Sequence, residues 1–212
     1  MASVDLLTRM SRLIRNSIAG VDGCGITVLY DGVPLTVGSP SELAALDDEF
    51  QHTTDDGPCL EALWSQSVVE SQDLTREARW GSYPAAALGC GMRSVLSIPM
   101  DAAAAGHGAL NLYSRTTAGF DDEDRRAARE FAEVTAAVLA SGRNDAASGI
   151  ARRWRESIAR RTAVAQAVGI VMARRECGRE EAFEVLVAES REHDEEIHVT
   201  AARICVDPHG AR

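Results

Sequence analysis

The chain has 212 residues, of which 45% are hydrophobic and 25% are charged, and its formal net charge is −10. This length exceeds the usual size of one domain, about 100–150 residues, and the composition is that of an ordinary globular protein. No apolar run approaches the ~18 residues of a membrane-spanning helix. Residues 1–18 also lack the continuous apolar stretch of a signal peptide. We therefore expect two domains, no membrane contact and a cytoplasmic location.

The cysteine pattern and the polar residues argue against a metal site and against catalysis. The five cysteines are widely spaced and include no C-x-x-C pair, so neither a disulfide framework nor a zinc site is predicted. The sequence contains no ordered nucleophile–base motif and no cofactor fingerprint. We expect no catalytic residues, no metal and no cofactor.

Charge is unevenly distributed along the chain. Residues 1–149 contain 11 Arg and 21 acidic residues, a net charge of −10, whereas residues 150–212 contain 11 of each. Within the second part, residues 150–175 carry seven Arg and one Glu. A basic helix in a neutral module is compatible with a surface that contacts phosphates.

The first 141 residues predict an α+β domain. Apolar residues recur at helical spacing over residues 3–18, and Gly20 ends that helix. Residues 24–30 and 33–38 predict a hairpin that turns at Asp31-Gly32. Further predicted elements are a helix at 41–51, a short helix after Gly57-Pro58, strands at 67–71, 94–100 and 108–114, and a helix at 121–140, with an irregular region at 73–84. This order favours an antiparallel sheet with flanking helices.

Several fragments in this region resemble a GAF domain over residues 3–141. They are DGVPLTVGS (31–39), DDGPCLEAL (55–63), VVESQDLTREARW (68–80), GMRSVLSIPM (91–100) and GALNLYS (108–114). The resemblance implies a sensor of a small molecule or redox signal and a dimerisation unit, without fixing the ligand. Some proteins of this fold reduce methionine sulfoxide with closely spaced thiols. Cys59 and Cys90 lack that spacing.

Six polar or aromatic residues are candidates for a ligand pocket in this domain. The alternative is that the tryptophans fill the core and that Asp73 caps a loop. The candidates are Cys59, Trp64, Asp73, Trp80, Tyr83 and Arg93.

The last third of the chain predicts three helices after a short hinge at 142–149. Residues 150–175, 179–190 and 195–205 have helical apolar spacing, and Gly178 is expected to end the first helix. The motif RTAVAQAVGIVMA (161–173), with REEAFEVLVAES (179–190) and EEIHVTAARIC (195–205), resembles an ANTAR domain over residues 150–207. The resemblance implies that a dimer binds paired RNA hairpin loops and prevents transcription termination.

Candidate RNA contacts are the cations and polar residues that match or extend the motif. They are Arg161, Gln166, Arg174, Arg175, Arg191 and His198. Four positions depart from the family pattern. Val168 replaces a lysine, Glu196 and His198 stand where basic residues are usual, and Arg179 stands where a Ser or Thr would cap the second helix. Val168 and Glu196 are expected to weaken RNA binding, because phosphate contacts dominate affinity for nucleic acids. Ala165, Val168, Gly169 and Met172 are expected to pack within the bundle.

Narrow apolar stripes on both sides of the hinge predict a homodimer. They consist of Phe131, Val134 and Val138 before the hinge and Ile150, Trp154 and Ile158 after it. Three functions remain open. The first is a signal-responsive RNA-binding antitermination regulator. The second is a ligand-sensing or protein-interaction dimer whose ANTAR module no longer binds RNA. The third, against which the cysteine spacing argues, is a thiol oxidoreductase.

Overall fold

The computed structural model describes residues 2–30, 32–39, 44, 48, 50–52, 54–102, 106–141, 159–160, 162–193 and 195–206. The chain divides into two compact units, residues 1–154 and 155–212. The predicted hinge at 142–149 and the stripe of Ile150, Trp154 and Ile158 lie outside the described residues.

The first unit has the predicted α+β architecture. Residues 44, 48, 50–52 and 54 are helical, in the region of the predicted helix at 41–51. The other elements are α1 (Ala2–Ser17), β1 (Gly23–Tyr30), β2 (Val33–Gly38), α2 (Pro58–Ser65), β3 (Val69–Ser71), a 3₁₀ helix (Leu74–Arg76), α3 (Tyr83–Gly89), β4 (Ser94–Asp101), β5 (His107–Ser114) and α4 (Asp122–Ser141).

The five strands form one antiparallel sheet in the order β2-β1-β5-β4-β3. In the centre of this sheet Asn111 lies opposite Gly25 on one side and opposite Ser97 on the other. Because side chains alternate between the two faces of a strand, these three residues share one face.

The opposite face of the sheet carries the main apolar core. Residues such as Ile26, Leu110 and Leu112 pack there against Ile14 of α1 and Ala132 of α4. All five are buried. Burial of apolar surface on this face anchors the two terminal helices of the unit.

The face that carries Asn111 is lined by small and polar residues. β1 contributes Gly23, Gly25 and Thr27 at alternate positions, and Ala109 of β5 packs against Cys59, Leu60 and Leu63 of α2. The helix α2 therefore covers a polar region of the sheet, which is where a site can form.

The second unit is a three-helix arrangement with its own core. Its helices are α5, described at 159–160 and 162–175, α6 (Arg179–Glu192) and α7 (Ile197–Val206). The buried apolar residues of the bundle are Val164, Ala167, Val168, Val171, Ala182, Phe183, Leu186, Val187, Ile197, Ala201 and Ile204. These include the predicted apolar faces of the second and third helices.

Some local details differ from the sequence-based expectations. The region 73–84, predicted to be irregular, contains a 3₁₀ helix and the start of α3. Glu176, with φ 52, makes the left-handed turn after α5, whereas Gly178 is the extended N-cap of α6. Ala165 and Gly169 are exposed instead of packing within the bundle.

Candidate functional site

A buried carboxylate lies on the polar face of the sheet. Asp48 is only 1% exposed. Its carboxylate accepts hydrogen bonds from Tyr113 Oη at 2.6 Å, Asn111 Nδ2 at 3.0 Å and Thr36 Oγ1 at 3.1 Å. A Cβ on residue 25 would overlap this carboxylate, so Gly25 makes the close approach of Asp48 to β1 possible.

Further hydrogen bonds connect this carboxylate to α2. Gln51 Nε2 donates to Tyr113 Oη at 3.3 Å, and Gln51 Oε1 accepts from the backbone N–H of Cys59 at 2.8 Å. Asn111 Nδ2 also donates to Thr27 Oγ1 at 3.3 Å. Two of the three donors to Asp48, Tyr113 and Asn111, thus have a second hydrogen bond that holds them in place. These hydrogen-bonded residues and Ser97, which lies opposite Asn111, are called the polar layer. Its members are Thr27, Asp48, Gln51, Ser97, Asn111 and Tyr113.

Within the described part of the chain, two buried atoms of the polar layer have no hydrogen-bond partner. They are Ser97 Oγ and Asn111 Oδ1. Both side chains are fully buried, and the two residues are directly opposed between β4 and β5. Buried polar atoms are nearly always hydrogen-bonded in folded proteins, so this pair distinguishes the polar layer from ordinary core.

The sequence-predicted ligand residues divide between a packed cluster and the surface. The Trp80 and Tyr83 rings meet edge to face at 5.6 Å, and Trp80 Nε1 donates to Glu61 Oε2 at 2.7 Å. The Arg79 guanidinium lies 4.3 Å from the centre of the Trp80 ring. Trp64, by contrast, is 58% exposed.

Asp73 and Arg93 lie near one end of the sheet. Asp73 Oδ1 caps the 3₁₀ helix by accepting from Thr75 N at 3.0 Å and from Thr75 Oγ1 at 2.6 Å. The hydrogen bond from the Thr75 hydroxyl is the main cause of the lowered pKa of Asp73. Arg93 O accepts from Leu74 N at 2.9 Å. Asp73 thus has the loop-capping role given as the alternative.

Among the predicted ligand residues, Cys59 joins the hydrogen bonds of the polar layer through its backbone N–H. Four residues of the polar layer were not predicted from the sequence: Asp48, Gln51, Asn111 and Tyr113. One signal was available, because β5 has the buried alternation Ala109, Asn111, Tyr113 where a strand covered by helices is usually apolar.

In the bundle, the predicted RNA contacts are distributed over all three helices. Arg161 lies outside the described residues. Gln166, Arg174 and Arg175 on α5 and Arg191 on α6 are exposed, and His198 on α7 is half-buried. The Cys205 thiol of α7 lies 3.6 Å from Ala163 O and 3.9 Å from Gln166 Oε1. This contact places Gln166 beside α7.

The structure changes the interpretation of Val168. Its side chain is 4% exposed and belongs to the core of the bundle. The family pattern suggested that Val168 is a lost phosphate contact, whereas in this fold position 168 is part of the bundle core and is not an exposed contact position. Glu196, in contrast, is exposed.

Glu196 faces a candidate RNA contact directly. Its Oε2 lies 3.0 Å from His198 Nδ1. The pKa of His198 is lowered, first by burial and then by the charge of Arg160, while Glu196 acts in the opposite direction. Burial and Arg160 therefore favour the neutral imidazole, which contributes no positive charge to an RNA surface.

The turn before His198 is fixed by α6 and α7 together. Ser190 Oγ donates to Glu195 O at 2.6 Å, and Thr200 Oγ1 donates to Glu195 Oε2 at 3.1 Å. Arg203 lies 3.6 Å from both Glu189 and Glu195. These contacts set the position of the first turn of α7.

Comparison with protein families agrees with both units. The antiparallel sheet between helical layers is the architecture of a GAF domain, and the GAF domain model matches residues 3–140. The chain belongs to the GAF family. Residues 152–204 match the ANTAR domain, so the chain is a GAF–ANTAR protein. GAF domains are sensors and ANTAR domains are RNA-binding antitermination modules, which makes this chain a signal-responsive regulator of transcription.

Solved structures share the fold of the first unit at low identity. Type II free methionine-R-sulfoxide reductase from Thermoplasma acidophilum is 16% identical, with a TM-score of 0.51 over 65% of this chain and 92% of its own. A GAF domain/HD domain protein from Geobacter sulfurreducens is 17% identical, with a TM-score of 0.53 over 66% of this chain and 93% of its own. No curated protein matches the chain. Among the described residues, no helix is long and apolar enough to span a membrane.

Proposed function

We propose that this protein is a cytoplasmic antitermination regulator that senses a signal in residues 3–141 and binds paired RNA hairpins through residues 150–207 as a dimer. The observation that carries the proposal is a GAF sensor and an ANTAR module on one chain. The bundle also presents a polar, partly basic surface on α5, where Gln166, Arg174 and Arg175 are exposed. Arginine can contact phosphate with two hydrogen bonds and can stack on unpaired bases.

The exposed side of α5 suits close approach by RNA. Ala165, Gly169 and Ala173 are exposed at helical spacing beside Gln166. Apart from the adjacent backbone of α5 itself, no atom of the described residues lies within 4 Å of the Cβ position of Gly169. Small side chains allow a nucleic-acid backbone or loop to reach the helix. We place the RNA-binding surface on this side, with Arg174 and Arg175 at its C-terminal end.

An apolar surface on α1 and α4 supports dimerisation. Leu13 of α1 is 56% exposed and Val134 of α4 is 55% exposed. Phe131 and Val138 of α4 are half-buried at the edge of the same core. The outer side of α1 carries exposed Arg12, while that of α4 carries exposed Glu133. In a two-fold dimer these opposite charges can flank a shared apolar seam.

The ligand residues predicted from the sequence remain a proposal. Cys59, Trp80 and Tyr83 are buried near α2 and α3, and we assign them to the wall of the sensor site. In this proposal the outer rim of the sensor site contains Trp64, Asp73 and Arg93. The thiol oxidoreductase alternative has no support from the cysteine pattern, because Cys59 and Cys90 lack the close sequence spacing of the sulfoxide-reducing proteins.

The test is RNA binding by the full chain. Affinity is measured for a transcript with two adjacent hairpins and for a scrambled transcript of the same length, at one fixed salt concentration. We expect tighter binding to the paired hairpins. Equal affinity for both transcripts would instead favour the alternative, a sensing or interaction dimer with an inactive ANTAR module, for which the acidic Glu196 beside His198 is the supporting observation.

A further inference from the structure

Two fully buried polar groups of the polar layer have no hydrogen-bond partner among the described residues. The Asn111 amide uses its Nδ2 to donate to Asp48 Oδ1 at 3.0 Å and to Thr27 Oγ1 at 3.3 Å. An amide nitrogen has two hydrogens, so both are used. Asn111 Oδ1 then remains as a buried acceptor, and the described residues supply no donor to it.

Ser97 adds a second unsatisfied atom at the same place. It lies directly across from Asn111, so the two Cβ atoms are about 4.5–5.5 Å apart. The Ser97 hydroxyl has no partner among the described residues, although it can both donate and accept. Two adjacent buried groups that lack partners indicate an occupant that supplies at least one N–H or O–H donor.

The surroundings of this pair favour a positively charged donor. The Asp48 carboxylate is hydrogen-bonded to Asn111 itself, and a carboxylate disfavours a second anion nearby. The whole segment 1–149 has a net charge of −10, which raises the local concentration of cations. Ala109, Leu60 and Leu63 form an apolar cluster on the same face, which suits a short hydrocarbon body.

We propose that the sensor unit binds a small primary alkylammonium compound, whose ammonium group donates a hydrogen bond to Asn111 Oδ1 and contacts the Ser97 hydroxyl beneath α2. This inference rests on the sensing role proposed above and names the chemical class of its ligand. It also assigns two binding residues, Ser97 and Asn111, that belong to the buried sheet and not to the loops.

The experiment compares three probes of nearly equal size in thermal unfolding of the full chain. They are n-propylammonium chloride, 1-propanol and sodium propionate, at constant ionic strength. We expect n-propylammonium to raise the Tm with a dependence on the logarithm of its concentration, because a ligand that binds only the folded state stabilises it in this way. The alcohol is expected to give a smaller rise, and propionate none.

A variant separates binding from folding. Ser97→Ala removes a hydroxyl that has no partner in the fold, so the protein without probe is expected to keep its Tm or gain slightly. The same variant is expected to weaken n-propylammonium binding roughly threefold to tenfold, the loss of about one hydrogen bond. Ser65→Ala, at an exposed position of α2, serves as the matched control and is expected to leave binding unchanged.

Three results would overturn the proposal. The first is a Tm rise with n-propylammonium no larger than with 1-propanol. The second is an unchanged n-propylammonium affinity in Ser97→Ala. The third is a high-resolution structure grown with the probe in which only an ordered water bridges Ser97 and Asn111. Paired-hairpin RNA binding is measured on the same samples. If it persists when the probe experiment fails, only the ligand class is wrong.

Discussion

At the scale of single residues, the Asp48 carboxylate depends on donors from three parts of the chain. Tyr113→Phe removes the shortest of its described hydrogen bonds, at 2.6 Å, without changing the shape of the ring. We expect a loss of about 1.5–3 kcal/mol of unfolding free energy, the range for a hydrogen bond to a charged group. Chemical denaturation of the natural chain and of the variant measures this loss of unfolding free energy. In the double variant with Asp48→Asn, the two losses should not add, since both substitutions change the hydrogen bond between Tyr113 Oη and Asp48. Additivity within about 0.5 kcal/mol would contradict this account.

The burial of Val168 gives a second residue-scale prediction. Val168→Lys places an ammonium group in the core of the bundle, and we expect a loss of about 3 kcal/mol, without any gain in RNA affinity. Ala165→Lys is the matched control, because residue 165 is on the same helix but exposed. It should retain the stability of the natural protein within about 0.5 kcal/mol. Circular dichroism during thermal unfolding distinguishes them. Equal Tm values for the two variants would show that position 168 is not buried in solution.

At the scale of an element, the N-terminal turn of α7 predicts a pH dependence. The folded-state pKa of His198 lies below its ordinary value of 6.5, first because of burial. The unfolded chain therefore binds the proton more tightly than the folded one. The contribution of His198 to stability is present above pH 6.5 and is lost as the pH falls through the folded-state pKa. His198→Gln should flatten this part of the Tm–pH curve. A curve of unchanged shape would refute the assignment.

Most of the elements were predictable, because they have strong local signals. The strands at 94–101 and 107–114 and the helix at 122–141 follow from apolar spacing alone. The helix α3 was not predicted, since Tyr83-Pro84 followed by three alanines is short and lacks an amphipathic pattern. The buried side of α5 was predicted only in part. Ala165, Val168 and Gly169 were all expected to pack within the bundle, and of these three only Val168 is buried, because packing against α6 and α7 decides which side of α5 is covered.

The polar layer shows why the site was harder to predict than the fold. Asp48 and Asn111 are 63 positions apart, and neither belongs to a motif that names a chemistry. Their contact exists only because antiparallel pairing sets Asn111 beside Gly25, whose missing side chain admits the carboxylate. Aromatic residues are easily recognised in a sequence, and the prediction of ligand residues relied partly on them. A long-range hydrogen bond between ordinary polar residues has no such local signal.

At the scale of the whole molecule, the apolar surface on α1 and α4 predicts a dimer. Leu13→Asp combined with Val134→Asp places charges in the proposed seam, and we expect light scattering to report monomers at concentrations where the natural chain is dimeric. Val206→Asp is the control, because Val206 is 86% exposed on α7 and outside the seam. Its oligomeric state should equal that of the natural chain. If the variant with both Leu13→Asp and Val134→Asp remains dimeric, the dimer interface lies elsewhere.

The central claim, that the second unit binds paired RNA hairpins, is tested most directly by affinity for a dual-hairpin transcript over a series of salt concentrations. We expect the natural chain to prefer it over scrambled RNA. Arg174→Ala with Arg175→Ala should weaken binding and flatten the salt dependence, because each lost phosphate contact removes about 0.7 from the logarithmic slope on single strands. Glu196→Arg, at an exposed position, should strengthen RNA binding and steepen its salt dependence. If neither the natural chain nor Glu196→Arg prefers the paired hairpins over scrambled RNA, the account is contradicted.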